Sequence, residues 1–334
     1  MDEVIQLLAA IALLTVASYA IAVSGEKLSE RLGHSFGAGV LLGLMTALPE
    51  TILVFESLAL GQMGAGLSSA VGANAMLMTL GLGLLGLVFF LKYRSPITLE
   101  GKYGLELRAL LISTALIGLS LLASALIPGT PGEDPLERAI LALTGGALAS
   151  VYVIYAFKSF STSNEEEKGE GGVTRHIFLL IAGGLLAIAV TPYFLKSVEE
   201  VSQSYGVPFE EVSQSYGVPF EFLVYLVSPV AAELEEQISS YIMILRGKEL
   251  GSPAVYSFLG SKIENSTVLI SPFLILGADL TSYSHLLVAL IISNLFSIAV
   301  LKDGRLGLKD SLMGLALYVS ITFALYSLGV APSH

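Results

Sequence analysis

The sequence predicts an all-α membrane protein, with ten transmembrane helices in two inverted five-helix repeats. Three observations carry that expectation. Of 334 residues, 54% are hydrophobic and only 13% charged, where soluble domains carry about 25% charge; the mean hydropathy is +0.77. Ten stretches reach the roughly 20 apolar residues that cross a bilayer. Inside them, the few polar side chains recur at matching places in the two halves.

Composition also narrows function. A net charge of −11 and a pI near 4.8 argue against polyanionic partners, nucleic acid included. The absence of cysteine excludes disulfides, thiolate metal sites and cysteine nucleophiles. The lipid bilayer is the partner that this composition implies; inorganic cations, with no cofactor, are expected from the polar residues within the spans.

The expected spans are 3–23, 36–60, 64–91, 105–127, 136–158, 174–195, 219–245, 252–277, 281–301 and 308–330. The first opens on acidic residues and lacks a basic n-region, so it reads as a retained helix and not a cleaved signal. Fourteen Lys and Arg residues flank the loops after odd-numbered spans, from Lys27 and Arg31 through Lys309. Only Arg138 and Lys196 fall on the other side, and Lys262 lies within a span. Positive loops stay in the cytoplasm, which places both termini outside a cell membrane, one of prokaryotic type.

A polar, glycine-rich loop near residues 159–173 divides the chain into halves, 1–160 and 174–334, joined by a linker at 161–173. Such composition reads as a flexible connection. Between spans 6 and 7 the stretch EVSQSYGVPFE at 200–210 is repeated at 211–221. Surface loops accept insertions cheaply, and no role is assigned to the copy.

Ionisable residues inside spans are costly and are functional candidates by default. Span 2 holds Thr46-Ala47-Leu48-Pro49-Glu50 and then Glu56, and span 3 holds Ser68, Ser69, Gly72 and Asn74. Span 7 holds Ser228, Pro229, Glu233, Glu235, Glu236, Gln237, Ser239 and Ser240. Span 8 holds Ser257, Gly260, Ser261, Lys262, Glu264 and Asn265. The other six spans have almost nothing comparable. Polarity is thus concentrated in the second and third spans of each half.

Spacing makes those halves copies. Glu50 precedes Gly61 by 11 residues, and Glu236 precedes Gly247 by 11. Gly72-Ala73-Asn74 aligns with Gly260-Ser261-Lys262, and Ser69 with Ser257. With five spans per copy the second enters the membrane upside down, the inverted-repeat plan of secondary transporters. Pro49 and Pro229 each remove a backbone donor and free upstream carbonyls, tolerated at membrane depth only where protein or a cavity satisfies them. Such carbonyls beside Glu, Thr, Ser and Asn oxygens make a hard-oxygen cage suited to Ca²⁺ or Na⁺.

At these residues the chain resembles the Ca²⁺/cation antiporter superfamily, particularly the Na⁺/Ca²⁺ exchangers, as a divergent member. Those proteins carry a G-T-S-x-P-E-like helix followed by a G-N-x-x-G-S-N/D-like helix in each inverted repeat. Thr46 to Glu50 matches the first element, with Ala47 where the family has serine, and Gly72-Ala73-Asn74 matches the second. In the other half Glu236 takes the glutamate place, with Gly217-Val218 at the distance of the family's Gly-Val pair. The resemblance implies an antiporter exchanging Ca²⁺ or a related cation for Na⁺ or H⁺ by alternating access. Glu50 and Glu236 would be the central metal ligands, and Thr46, Asn74, Glu233 and Ser240 would complete the shell. Ser69, Ser257, Glu264 and Asn265 are secondary candidates.

The chain also departs from the pattern. Ala232, Glu233 and Glu235 stand opposite Thr46, Ala47 and Pro49, and Lys262 stands where the family places an Asn or Asp ligand. An ammonium cannot ligate a cation, so it is expected to pair with Glu50, Glu236 or Glu233. Three readings of Lys262 stay open: a tethered counter-charge that changes stoichiometry, a proton carrier, or a group displaced from the cavity. Glu56, six residues beyond Glu50, falls on another helical face and reads as a gate or packing group. A non-exchanging cation channel or sensor on the same fold is the alternative. An intramembrane enzyme is not expected, since the four histidines are scattered and form no H-E-x-x-H pair.

Overall fold

The computed structural model describes residues 2–100, 103–127, 134–163, 173–204 and 220–329. These form ten helical segments: α1 (Asp2–Leu32), α2 (His34–Ala59), α3 (Met63–Tyr93), α4 (Gly104–Leu126), α5 (Pro135–Ser163), α6 (Val173–Ser204), α7 (220–246), α8 (248–275), α9 (Ser284–Leu301) and α10 (Leu308–Gly329). Most of the expected linker, and most of the duplicated stretch with Gly217 and Val218, lies outside the described residues. A two-residue ribbon pairs β1 (Ile97–Thr98) with β2 (Arg305–Leu306), antiparallel, with Ile97 opposite Leu306.

Eight of the segments are long and apolar enough to cross a membrane. Their outer faces carry bare aliphatic and aromatic side chains such as Leu143, Phe157, Phe178 and Phe323, each at least 70% exposed. On helices of membrane-spanning length, an apolar belt of this kind is a surface for lipid. The two that fall short are α7 and α8, and the reason is local. Segment α7 is a helix over Phe220–Ala232 and another over Leu234–Arg246, broken at Glu233. Segment α8 is α-helical over Gly251–Glu264, π-helical over Asn265–Leu269 and α-helical again over Ser271–Ile275. Their interiors carry the carboxylates and the lysine.

The two halves pack as mirror partners in sequence order. Segment α1 lies along α6, α3 against the first part of α7, and α8 against the first part of α2. Likewise α10 lies on α3 and α5 on α8, each contact recurring five segments on. The core itself shows that the copies run in opposite directions. One apolar cluster contains Leu42, Met78, Leu110, Met243, Leu259 and Val300; a second contains Val54, Val71, Ile117, Tyr225, Leu269 and Leu290. Segment α2 passes from the first cluster (Leu42) to the second (Val54), while α7 passes from the second (Tyr225) to the first (Met243). Segments α3 and α8 are reversed in the same sense. The repeats are therefore inverted, and Glu50, Asn74, Glu233, Glu236, Lys262 and Glu264 each lie in sequence between the residues that enter the two apolar clusters.

Two backbone crossings hold the repeats together. A side-chain carbon at Gly72 would collide with the carbonyl oxygen of Tyr225, and one at Gly260 with that of Gly39. Gly39 precedes Glu50 by 11 residues, and Tyr225 precedes Glu236 by the same interval. The Tyr225 carbonyl is available because Pro229, four residues on, has no N–H to give it. The prolines themselves are not register partners: with Glu50 opposite Glu236, Pro229 stands opposite Gly43 and Pro49 opposite Glu235. Gly43 plays the equivalent packing part, its would-be side chain meeting the Ser261 nitrogen at 2.8 Å.

Candidate ion-binding site

The polar layer is built from the centres of α2, α3, α7, α8 and α9. Glu50 is fully buried on α2, and the Ser69 hydroxyl of α3 donates to its Oε1 at 2.5 Å. Ser69 also contacts the Ser228 hydroxyl of α7. Glu236 is fully buried on α7, and the Ser257 hydroxyl of α8 donates to its Oε1 at 3.0 Å. The two acids thus sit in equivalent settings, each oriented by the serine on the following segment. This is the Ser69–Ser257 equivalence expected from spacing.

A second hydroxyl joins the repeats. Ser261 lies within 2.7 Å of Glu236 Oε2 as its donor, within 3.1 Å of the Gly43 carbonyl and 3.2 Å from the Thr46 hydroxyl. Thr46 sits one turn before Glu50 on α2 and also borders Glu236. Glu233 occupies the break in α7, where φ −98° and ψ −5° interrupt the helix. It interacts electrostatically with Glu236 and with Glu50, and it accepts a hydrogen bond from Asn265 Nδ2 at 3.3 Å. Glu50, Glu236, Thr46 and Glu233 are therefore neighbours in one interior site.

Several acceptors in this layer lack donors. Glu50 Oε2, Glu233 Oε2, Glu264 Oε2, Asn265 Oδ1 and the Ser240 hydroxyl are buried without a hydrogen-bond partner. Both carboxyl oxygens of Glu235 are in the same condition, and Glu235 faces Glu236 only through its charge. Buried polar atoms are ordinarily paired. A buried surplus of carboxylate oxygens over donors is a setting that a cation completes. Among the described residues no three His, Cys, Asp or Glu side chains gather as a metal cluster on their own.

The remaining expected residues separate. Glu264, two residues beyond Lys262, turns toward α2, where the Thr51 hydroxyl donates to it at 3.1 Å. Ser240 is buried one turn beyond Glu236 without a bond to it. Glu56 is exposed near the end of α2 and takes no part.

Lys262 is fully buried, so a snorkelling, interfacial placement does not hold. Nor does the expected ion pair: no carboxylate oxygen of the described residues lies within 4.0 Å of its ammonium. Its Nζ donates instead to the Asn74 carbonyl at 3.1 Å and the Ser293 hydroxyl at 3.2 Å. The reason is reach. The side chain runs from α8 across to α3 and α9, while the donors nearest Glu236 are the Ser257 and Ser261 hydroxyls.

Segment α9 supplies residues that the sequence reading passed over. Ser293 donates to Asn74 Oδ1 at 3.0 Å, and Asn74 Nδ2 donates to the Ser266 hydroxyl at 2.7 Å. Ser266 in turn reaches Asn294 Oδ1, and Asn294 Nδ2 donates to Thr114 of α4 at 3.0 Å. The adjacent Ser293-Asn294 pair, centred in an otherwise apolar span, was the available signal.

The sequence profile of the family described as sodium/calcium exchanger protein matches residues 3–160 and 175–327. Comparison with curated proteins finds no match. Among solved structures, the sodium-calcium exchanger NCX_Mj soaked with zero Na⁺ and Ca²⁺ is similar at 16% identity, with 97% of this chain and 98% of that one covered and a TM-score of 0.71. The same exchanger soaked with 10 mM Na⁺ and zero Ca²⁺ gives 0.72 at 16% identity over 97% and 98%. The H⁺/Ca²⁺ exchanger CAX gives 0.68 at 16% identity over 98% of this chain and 85% of that one. At such identities the likeness establishes a shared fold.

Proposed function

The chain belongs to the sodium/calcium exchanger protein family, and we propose that it is a secondary antiporter that exchanges Ca²⁺, or a related cation, for Na⁺ or H⁺. It is a membrane transporter and not an enzyme. Glu50 and Glu236 serve as the central ligands, one from each inverted repeat. Thr46, Glu233 and backbone oxygens complete the shell, with Asn74, Ser240 and Asn265 at its margins. All ten segments cross the membrane, α7 and α8 as broken spans. The units are residues 1–160 and 174–334, joined at 161–173, in a cell membrane of prokaryotic type with both termini outside.

One observation carries the reading: two fully buried glutamates from opposite repeats, held by equivalent serines, border a common set of oxygens with unfilled acceptors. Oxygen-rich, carboxylate-bearing cages select hard cations. Carboxylates of like charge in low dielectric cannot all remain ionised and empty. Competing cations neutralise the same acids in turn, so the site empties by exchange. The inverted packing supplies the symmetry by which one arrangement opens to one side and its counterpart to the other.

The test is Ca²⁺ uptake by proteoliposomes carrying an outward Na⁺ gradient or a pH gradient. Wild-type protein takes up Ca²⁺ only with a counter-ion on the far side, which separates an exchanger from a channel. Glu50→Gln and Glu236→Gln each lower the rate at least tenfold. A double Gln variant that exchanges at the wild-type rate overturns the assignment.

A further inference from the structure

Among the described residues Lys262 is the only fully buried lysine or arginine. A lysine buried for structure ordinarily closes on a carboxylate, since an unpaired internal charge is expensive. Five buried glutamates share its layer (Glu50, Glu233, Glu235, Glu236 and Glu264), yet Lys262 takes none of them within 4.0 Å. It takes the Asn74 carbonyl and the Ser293 hydroxyl at 3.1 and 3.2 Å. Neutral oxygens close by with carboxylates beyond are the surroundings of a bound monovalent cation, and an ammonium is a compact point charge that can occupy them. The backbone agrees: a π-helical stretch begins at Met76, two residues after Asn74, and another at Asn265, three after Lys262. Such turns concentrate at functional sites.

We infer that Lys262 is a resident cation, its ammonium filling a monovalent-cation position bounded by the Asn74 carbonyl and the Ser293 hydroxyl. The chain then binds one fewer counter-ion than it would with a neutral, oxygen-bearing residue at this place. The consequence for the transport cycle rests on the exchanger reading; the consequence for binding does not.

The experiment counts Na⁺ bound at equilibrium to the purified full-length protein, wild type against Lys262→Asn and Lys262→Gln, using radioactive Na⁺. Each variant binds one more Na⁺ than wild type, and in proteoliposomes its reversal potential moves as one added Na⁺ per Ca²⁺ requires. Folded variants with an unchanged Na⁺ count overturn the inference. If wild type exchanges no Ca²⁺ but the variants gain Na⁺, the exchanger reading fails and the resident cation stands. Should neither variant fold, wild-type crystals soaked in Tl⁺ decide. The Asn74 carbonyl then carries no thallium, and thallium bound there overturns the inference.

Discussion

Gly260 lies so close to the carbonyl of Gly39 that no side-chain carbon fits between α8 and α2. The Gly72 crossing with Tyr225 reproduces this contact in the other repeat pair. Both contacts oppose backbone to backbone, so a neighbour cannot yield by changing rotamer. Gly260→Ala and Gly72→Ala should each lower stability by about 1–3 kcal/mol or more, the usual cost of overpacking. Gly146→Ala is the control: its side chain would meet nothing within 4 Å, and helix propensity alone would favour it by up to about 1 kcal/mol. Thermal unfolding in detergent checks all three, and equal behaviour of the three would contradict the crossing geometry.

Ser69 and Ser257 orient the two central acids from equivalent positions. A hydrogen bond to a charged group contributes about 1.5–3 kcal/mol, which corresponds to roughly 10- to 100-fold in affinity. Ser69→Ala and Ser257→Ala should both raise the Ca²⁺ concentration for half-maximal exchange, with Ser257→Ala the milder. The difference follows from Ser261, which still donates to Glu236 at 2.7 Å, whereas Glu50 has no second donor. Kinetics of uptake at varied Ca²⁺ resolve the order, and a larger effect at Ser257 would refute it.

The sequence made the scaffold legible because polarity in an apolar chain is conspicuous. Glu50, Glu236 and their serines could be aligned by counting, and the counted register is the register of the two glycine crossings. What stayed hidden was the partner of each group. Lys262 was expected on a carboxylate because charge attraction is all that a sequence displays; its reach toward α3 and α9 is a property of packing. Ser293, Asn294 and Thr114 escaped notice since isolated hydroxyls in apolar helices usually bond their own backbone. Thr114 does so as well, to the Leu110 carbonyl at 2.6 Å, while accepting from Asn294. Pro49 and Pro229 lie in equivalent spans without sharing a register position, since the count that sets Glu50 opposite Glu236 puts Pro229 opposite Gly43.

Sidedness can be tested from contacts that join distant loops. Strand β1 follows α3 and β2 follows α9, and their pairing places both loops on one face. The Arg246 to Glu26 ion pair at 3.0 Å brings the ends of α1 and α7 to that face too. On the opposite face, Gly64 after α2 lies beside Tyr283 before α9 and Glu221 at the start of α7. The loops after α1, α3, α7 and α9 therefore share one side, and the proposed orientation, which follows the excess of Lys and Arg, makes that side cytoplasmic. The chain has no cysteine, so single substitutions report without background. Ser282→Cys should react with a membrane-impermeant maleimide in intact cells, and Lys302→Cys only after permeabilisation. The reverse pattern would invert the orientation and leave the exchange site untouched. Equal labelling of both in intact cells would show that the two loops do not lie on opposite sides, against the alternation that the inverted repeats require.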